Sequence, residues 1–233
     1  LRRPGRGLQA LPAGNGDRIS DYIDFEPFTA TQIITLITQI PTDITTSTTW
    51  DTGLYVINNS IDLDGGVTLN IEPGVVVKME PNVRLRIYGT LNAIGLPDSQ
   101  VVFTSYSDDS YGGDTNGDGD ASSPVPGNWE SLRFEAASSA SVLRNVIMKF
   151  GGDYPADGIV ELPSGATPTL DSCYVSRSAD NGIYIRSTTG GSLTNSYVTG
   201  NSNDGVELDN NSQFTFSNCV LEGNGANGLY TDA

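Results

Sequence analysis

The chain of 233 residues contains no histidine, only two cysteines, and 12 basic residues against 28 acidic ones, for a formal net charge of -16. Without histidine, hydrolase chemistries that rely on imidazole are excluded. An acidic surface also makes nucleic acid a poor partner, since phosphate binding depends on clustered Lys and Arg. No apolar run approaches the roughly 20 residues needed to span a bilayer, and no signal peptide opens the chain. We therefore expect no membrane span and, if the protein is exported, a mature piece of a longer chain.

A repeat is present in the last third of the chain. Gly182, Gly205 and Gly228 recur at a constant offset of 23 along the sequence. Side chains alternate faces along a strand, so Val198 is predicted to point inward and its neighbour Tyr197 outward. The three segments that align are DSCYVSRSADNGIYI (171–185), TNSYVTGNSNDGVEL (194–208) and SNCVLEGNGANGLYT (217–231).

The middle of the chain also repeats, with a slightly shorter period. Five-residue alternating runs (VTLNI, VVVKM, VRLRI) are separated by DGG, EPG and EPN, and Leu69 and Leu91 recur at an offset of 22. Each run is typical of a half-buried strand and each break of a tight turn. Lys78 and Arg84 alternate with apolar residues, so we expect both to face water.

Short strands that repeat at offsets of 22 or 23 predict an all-β fold, a single-stranded parallel β-helix whose coils stack at about 4.8 Å. Leucine-rich repeats would need their Leu and Asn consensus. A β-sandwich gives no reason for a constant offset between glycines.

The run GVTLNIEPGVVVKMEPNVRLRIYGTLNAIG, followed by VVFTS, an acidic Gly-rich loop and GNWESLRF, resembles the right-handed parallel β-helix repeat domains of large secreted or surface-attached microbial proteins, which share the pectate-lyase-like superfold. The resemblance implies a β-helix over residues 50–233, with a loop insertion at 105–128. Residues 14–28 resemble a linker between two such modules, so residues 1–49 are predicted to be a lead-in from an upstream module. No catalytic signature of the polysaccharide-active relatives is matched.

The insertion carries DTNGDGD, in which Asp114, Asn116, Asp118 and Asp120 place oxygen ligands at alternate positions. This spacing predicts a structural calcium site that clips the long loop to the β-helix. It is not an EF-hand, because Val125 stands where a bidentate glutamate is required. A solvated acidic turn is the alternative. Further ligands would come from backbone carbonyls or from neighbouring carboxylates, namely Asp108, Asp109 or Asp153.

The spacing of the two cysteines gives a test of the predicted period of 23 residues. Cys173 and Cys219 are offset by 46, which is two coils of 23, with Ser196 at the equivalent position between them. Two steps of about 4.8 Å separate their Cα atoms by roughly 9.6 Å, whereas a disulfide tolerates little beyond about 7 Å. We therefore predict two free, inward-facing thiols.

Two acidic residues near the end of the chain are candidates for catalysis. Glu207 and Asp209 lie on one face of one strand, about 6.8 Å apart at about 3.4 Å per residue, which permits the spacing of an inverting glycosidase. Acidic residues that alternate on a solvent face would give the same pattern. A lyase would instead need a base beside bound calcium, for which the candidates are Lys78, Lys149, Arg177 and Arg186.

Three functions follow from this pattern. The first is a non-catalytic β-helix module of an extracellular or cell-surface microbial protein, acting as a rigid stalk, adhesion or glycan-contacting domain. Its expected partners are polysaccharide or other surface protein modules. The second is a calcium-dependent polysaccharide lyase or glycoside hydrolase. The last coil has no amphipathic cover in the sequence, which favours the first function, with more coils or another domain following in the native protein. The third is a subunit of a filament or sheath that self-associates end to end, with open ends that stack between copies.

Overall fold

The computed structural model describes residues 37–138, 140–163, 165–209 and 212–232. The predicted linker at 14–28 lies outside these residues. The described part of the chain is all-β, as predicted, with one short 3-10 helix, η1 (Ala136–Ser138). No helix among the described residues is long and apolar enough to cross a membrane.

The strands are short, from three to six residues each. In chain order they are β1 (Ile37–Ile40), β2 (Thr48–Trp50), β3 (Leu54–Ile57), β4 (Ile61–Leu63), β5 (Thr68–Ile71), β6 (Val76–Met79), β7 (Leu85–Ile87), β8 (Thr90–Ile94), β9 (Val101–Ser105), β10 (Leu132–Phe134), β11 (Val142–Arg144), β12 (Val146–Lys149), β13 (Gly158–Leu162), β14 (Thr169–Asp171), β15 (Tyr174–Ser176), β16 (Asn181–Arg186), β17 (Thr189–Thr194), β18 (Tyr197–Thr199), β19 (Val206–Asp209), β20 (Gln213–Ser217), β21 (Val220–Glu222) and β22 (Leu229–Thr231).

These strands form three parallel sheets. Sheet A has the order β1-β3-β6-β9-β12-β15-β18-β21, sheet B β4-β7-β10-β13-β16-β19-β22, and sheet C β2-β5-β8-β11-β14-β17-β20. From β3 onward the chain passes through sheets A, B and C in turn and then repeats, so each strand pairs with its copies one coil before and after it. The predicted single-stranded parallel β-helix is confirmed.

The strand register confirms both predicted periods. Tyr174 lies beside Tyr197, and Tyr197 beside Val220, in each case at an offset of 23. Leu69 lies beside Leu91, at an offset of 22. Equivalent residues of successive coils are therefore direct neighbours in space.

Several coils depart from these periods, since Leu132 pairs with Val160 at an offset of 28 and Val142 with Thr169 at an offset of 27. The first coil and the coil that carries the insertion are two further cases. Ile37 pairs with Leu54, an offset of only 17, so β1 and β2 already belong to the stacked coils although they precede the predicted boundary at residue 50. Leu85 pairs with Leu132, an offset of 47, because the insertion loops out between them. A search at a fixed offset detects neither coil.

The interior is filled by the inward positions of all three sheets. Val198 is 0% exposed, whereas its neighbour Tyr197 is 52% exposed, which confirms the predicted faces. Crowding around Val198 also explains one glycine of the repeat. A Cβ added to Gly182 would lie 2.6 Å from Val198 Cγ1 and 2.7 Å from the carbonyl oxygen of Gly205.

The corner between sheets C and A repeats a small polar residue with positive φ: Ser172 (55°), Asn195 (52°) and Asn218 (56°). Asparagine tolerates this left-handed conformation better than most residues. Asn218 Nδ2 donates to Asn195 Oδ1 at 2.8 Å, and Asn195 Nδ2 donates to Asp171 Oδ1 at 2.7 Å. Asn218, Asn195 and Asp171 thus form a chain of side-chain hydrogen bonds that runs from coil to coil.

Both cysteines are free thiols, as predicted. Cys173 is buried and Cys219 is half-buried, with Ser196 in the coil between them. Ser196 Oγ accepts a hydrogen bond from the backbone N–H of Cys173 at 2.9 Å. Burial raises the pKa of the Cys173 thiol to about 12, so this sulfur is an unreactive core group.

Candidate functional site

The insertion leaves sheet A after β9 and folds over the outer face of that sheet. Lys78 Nζ on β6 donates to the carbonyl oxygen of Gly113 at 2.6 Å. A Cβ added to Gly112 would lie 3.1 Å from Leu54 Cδ1 on β3. At its far end the backbone N–H of Asn128 donates to the carbonyl oxygen of Phe150 at 2.8 Å. The loop therefore rests on the sheet at both ends.

This position corrects the expectation for Lys78. The side chain was expected to face water, yet it is 0% exposed. It does point to the outer face of sheet A, but the loop covers that face. Burial lowers the pKa of the Lys78 ammonium, and the nearby negative charges of Asp109, Asp108 and Asp114 oppose that shift.

The four predicted calcium ligands do not form one group. Asp114 and Asp118 gather with Asp109, which sequence reasoning named only as a further ligand, and one carboxylate oxygen from each lies within 4.8 Å of the others. Asp120 is outside this carboxylate group. Asn116 borders it, since its Nδ2 donates to Asp118 Oδ2 at 2.9 Å.

Two carboxylates of the group, those of Asp114 and Asp109, differ in their hydrogen bonding. Asp114 shapes the turn, because its Oδ1 accepts from the N–H of Gly117 at 2.8 Å and its Oδ2 from the N–H of Gly119 at 2.9 Å. Asp109 Oδ1 is buried without a hydrogen-bond partner among the described residues. The group thus combines a preformed turn with an unsatisfied carboxylate oxygen.

A second site lies on the outer face of sheet B and was missed by sequence reasoning. It is a cavity of about 190 Å³ formed by β7, β10, β13 and the turn before β13. Basic and acidic side chains share its walls with a tyrosine and two small apolar groups. The lining residues are Arg84, Arg86, Tyr88, Glu130, Arg133, Glu135, Pro155, Ala156 and Glu161.

Ion pairs organise these walls. Arg84 Nη1 donates to Glu130 Oε2 at 2.8 Å. Arg133 bridges two glutamates, donating from Nε to Glu135 Oε1 at 2.9 Å and from Nη1 to Glu161 Oε1 at 3.2 Å. Each of the three cavity carboxylates therefore has an arginine partner, and Arg84 is half-buried in the cavity wall rather than fully solvated as expected.

Glu161 is the most buried charged group of the cavity. Burial raises its pKa, and this shift is opposed by the hydrogen bond from Ser131 and by the charge of Arg133. Ser131 Oγ donates to Glu161 Oε2 at 2.5 Å. This carboxyl group keeps its proton to a higher pH than an exposed glutamate does.

One faint signal for this cavity is present in the sequence. Charged residues occupy outward positions both in VRLRI and in ESLRFE. However, Arg86 and Arg133 are offset by 47 and are neighbours only because the insertion loops out between β7 and β10. A repeat search at an offset of 22 or 23 does not connect them.

The predicted catalytic pair lies further along sheet B, on β19. Glu207 Oε2 accepts from Asn181 Nδ2 at 2.6 Å, and Asp209 Oδ2 accepts from Arg186 Nε and from the Tyr184 hydroxyl, both at 3.2 Å. Burial raises the pKa of Glu207, and its hydrogen bond with Asn181 opposes that shift. The two carboxylates engage different partners, and their catalytic role stays a prediction.

Comparison with known proteins supports the fold. The chain is 40% identical over 53 residues to Protein bark beetle of Drosophila melanogaster, a stretch that covers 23% of this chain and 2% of that protein. The chain therefore spans only a small part of that relative's length. No solved structure matches it. A family model described as right handed beta helix region matches residues 130–233. Together with the parallel coils described above, this match confirms the resemblance to right-handed parallel β-helices.

Proposed function

We propose that this chain is a non-catalytic β-helix module of an extracellular or cell-surface protein, which serves as a rigid stalk and contacts glycans along its outer wall. The pairing of charges in the sheet B cavity carries this proposal. Glu130, Glu135 and Glu161 each accept a hydrogen bond from an arginine. An arginine thus engages one oxygen of each glutamate, which leaves less of the carboxylate free to take a proton from a substrate. Such walls suit the binding of a polar ligand better than proton transfer.

The stalk role is supported by the continuity of the sheets. Sheet A stacks eight strands and sheets B and C seven each. Seven steps of about 4.8 Å give sheet A a stack of roughly 34 Å. The Drosophila protein that matches 53 residues of this chain is not microbial, so we do not restrict the proposed role to microbial proteins.

The same proposal gives the insertion a structural calcium ion. Asp109, Asp114 and Asp118 bring three carboxylates together, and calcium favours oxygen ligands of this kind. Asn116, whose Nδ2 donates to Asp118, was also predicted from the sequence as a ligand. Its side-chain oxygen would add a fourth ligand to the three carboxylates. The ion would neutralise negative charge that the ammonium of Lys78 balances only in part.

Two matched variants test the calcium proposal. Calorimetric titration of the wild type should show one calcium bound per chain, and Asp118→Ala should abolish that binding. Asp120→Ala removes the same charge from the same loop but outside the carboxylate group, so it should leave the affinity within about threefold. Calcium should also slow proteolysis between residues 106 and 128 in the wild type and in Asp120→Ala. Equal losses in the two variants would show that the loop attracts cations only by its total charge.

A second candidate, a calcium-dependent polysaccharide lyase or glycoside hydrolase, is favoured by one observation. Glu161 is buried beside Arg133 with a raised pKa, as a general acid requires. Incubation with acidic glycans, with and without a chelator, separates the two candidates. The module should release neither unsaturated products nor new reducing ends. If the wild type turns over such a glycan and Glu161→Gln does not, the protein is an enzyme and the non-catalytic proposal is wrong.

A further inference from the structure

One outward-facing row of side chains on sheet A is apolar or aromatic on every strand. We call this row the apolar stripe, and in strand order it consists of Ile37, Leu54, Val76, Val102, Ile147, Tyr174, Tyr197 and Val220. The corresponding outward row of sheet B has five charged residues and two tyrosines, namely Asp62, Arg86, Arg133, Glu161, Tyr184, Glu207 and Tyr230. A contiguous apolar row on an outer face is typical of a contact surface, whereas single exposed apolar residues are not.

The insertion covers only the first part of the apolar stripe. Leu54 is 0% exposed and Val102 is 4% exposed, although both point away from the interior, and Gly112 of the loop lies against Leu54. The cover ends near β12, where Lys149 Nζ lies 5.3 Å from the centroid of the Tyr111 ring. Beyond this point Tyr174 and Tyr197 are 40% and 52% exposed. The stripe is therefore buried where chain covers it and accessible over its second half, from Ile147 to Val220.

A second outward row on the same four strands carries opposite charges at its two ends. This row runs parallel to the accessible half of the stripe and consists of Lys149, Ser176, Thr199 and Glu222. Neither Lys149 nor Glu222 has an ion-pair partner among the described residues. The face thus has a positive end beside the insertion, a negative end on β21, and two tyrosines in the middle.

Such a face is complementary to itself under a twofold rotation. A twofold axis that runs along the strand direction, midway between β15 and β18, brings each row onto the same row of a second copy and reverses the order of the strands. Tyr174 then lies opposite Tyr197 of the second copy, and Lys149 lies opposite Glu222. The rotation also places the two insertions at opposite ends of the contact. A closed twofold dimer requires a self-complementary patch of this kind.

We propose that two copies of this chain associate side by side and antiparallel through the accessible half of the apolar stripe. This inference goes beyond the proposed calcium and glycan contacts and does not depend on either. Four strands about 4.8 Å apart make a patch roughly 19 Å long, which buries less than the about 800 Å² per partner of a standard interface. We therefore expect a weak dimer, with a dissociation constant on the order of 100 µM.

Sedimentation equilibrium of the whole chain, from about 10 µM to about 1 mM, measures this association. Tyr197→Ser should weaken dimerisation by about tenfold or more, because each dimer loses two tyrosines from the centre of the contact. Tyr230→Ser is the matched control, since it makes the same change on the outer face of sheet B at a comparable exposure of 42%. It should change the dissociation constant less than about twofold.

Charge reversal tests the antiparallel order. Glu222→Lys places lysines opposite each other at both ends of the dimer, and Lys149→Glu does the same with glutamates. Each variant alone should therefore dimerise at least about threefold more weakly than the wild type. An equimolar mixture of the two variants should recover wild-type association, because both cross-copy pairs again have opposite charges. The double variant Lys149→Glu/Glu222→Lys should also match the wild type, which shows whether loss of Lys149 disturbs the face itself.

Four outcomes would overturn the proposal. A monomer at every concentration would mean that the stripe does not bind a second copy. Equal effects of Tyr197→Ser and Tyr230→Ser would place the contact elsewhere. Masses above that of a dimer that grow with concentration would indicate open, end-to-end association. If the mixture associates no more strongly than its separate components, the antiparallel arrangement is wrong.

Discussion

Val198→Ala gives the most direct measure of how the coils are held together. Val198 is fully buried on β18, with Val175 and Leu221 beside it in the adjoining coils. The substitution removes two methyl groups, each worth about 0.8 kcal/mol of transfer free energy. The surrounding coils are fixed by backbone hydrogen bonds, so they collapse little and the residual cavity adds a further cost of up to about 1 kcal/mol. The free energy of unfolding should therefore fall by about 2 kcal/mol.

Tyr197→Ser is the matched control, because Tyr197 is the next residue on the same strand and points to solvent. It loses contact with Tyr174 of the preceding coil, an exposed cross-strand pair worth less than about 1 kcal/mol. Urea unfolding followed by circular dichroism gives both values, provided that the slope m is unchanged. If the two variants lose equal stability, or Tyr197→Ser loses more, the assignment of inward and outward faces is wrong.

The other predictions concern one crowded glycine, the two thiols and one buried carboxyl group. Gly182→Ala should cost on the order of 1 to 3 kcal/mol of unfolding free energy by overpacking, whereas Gly65→Ala, with nothing within 4 Å of its added Cβ, should cost much less. A thiol reagent should modify Cys173 and Cys219 slowly in the native protein and should count two thiols in the unfolded, non-reduced chain; finding none would mean that a disulfide forms. The raised pKa of Glu161 means that the folded state binds its proton more tightly than the unfolded state. The resulting stability is fully present below the ordinary pKa of 4.5 and is lost as pH rises through the folded value. The wild type should therefore gain stability relative to Glu161→Gln as pH falls toward 4.5, and parallel urea midpoints across that range would contradict this.

The fold could be predicted from sequence because stacking in register forces a repeat. Tyr174 and Tyr197 occupy equivalent positions, and a constant offset in the sequence becomes direct adjacency in space. The prediction stopped short at the N-terminal side, where Ile37 and Leu54 pair at a shorter offset than the later coils use. A coil of irregular length buries the same kinds of side chain but leaves no fixed offset to detect.

The sites were harder to predict, because they depend on what the insertion does in three dimensions. Alternation correctly placed Lys78 on the outer face of its strand, but alternation cannot reveal that a distant loop covers that face. The acidic motif identified Asp114 and Asp118, whereas the position of Asp109 beside them depends on how the loop returns over sheet A. Arg86 and Arg133 are likewise neighbours on adjacent strands only because the insertion loops out between β7 and β10.

The stacked coils also mean that length and binding can change independently. Each strand pairs only with the strand one coil before it and the strand one coil after it, so a coil inserted between β16 and β19 would have neighbours of the same shape on both sides. The sheet B cavity, built from β7, β10 and β13, would not be touched by such a duplication. A gene that gains or loses whole coils in its last third would thus produce a longer or shorter β-helix with the same cavity at the same distance from its first strand.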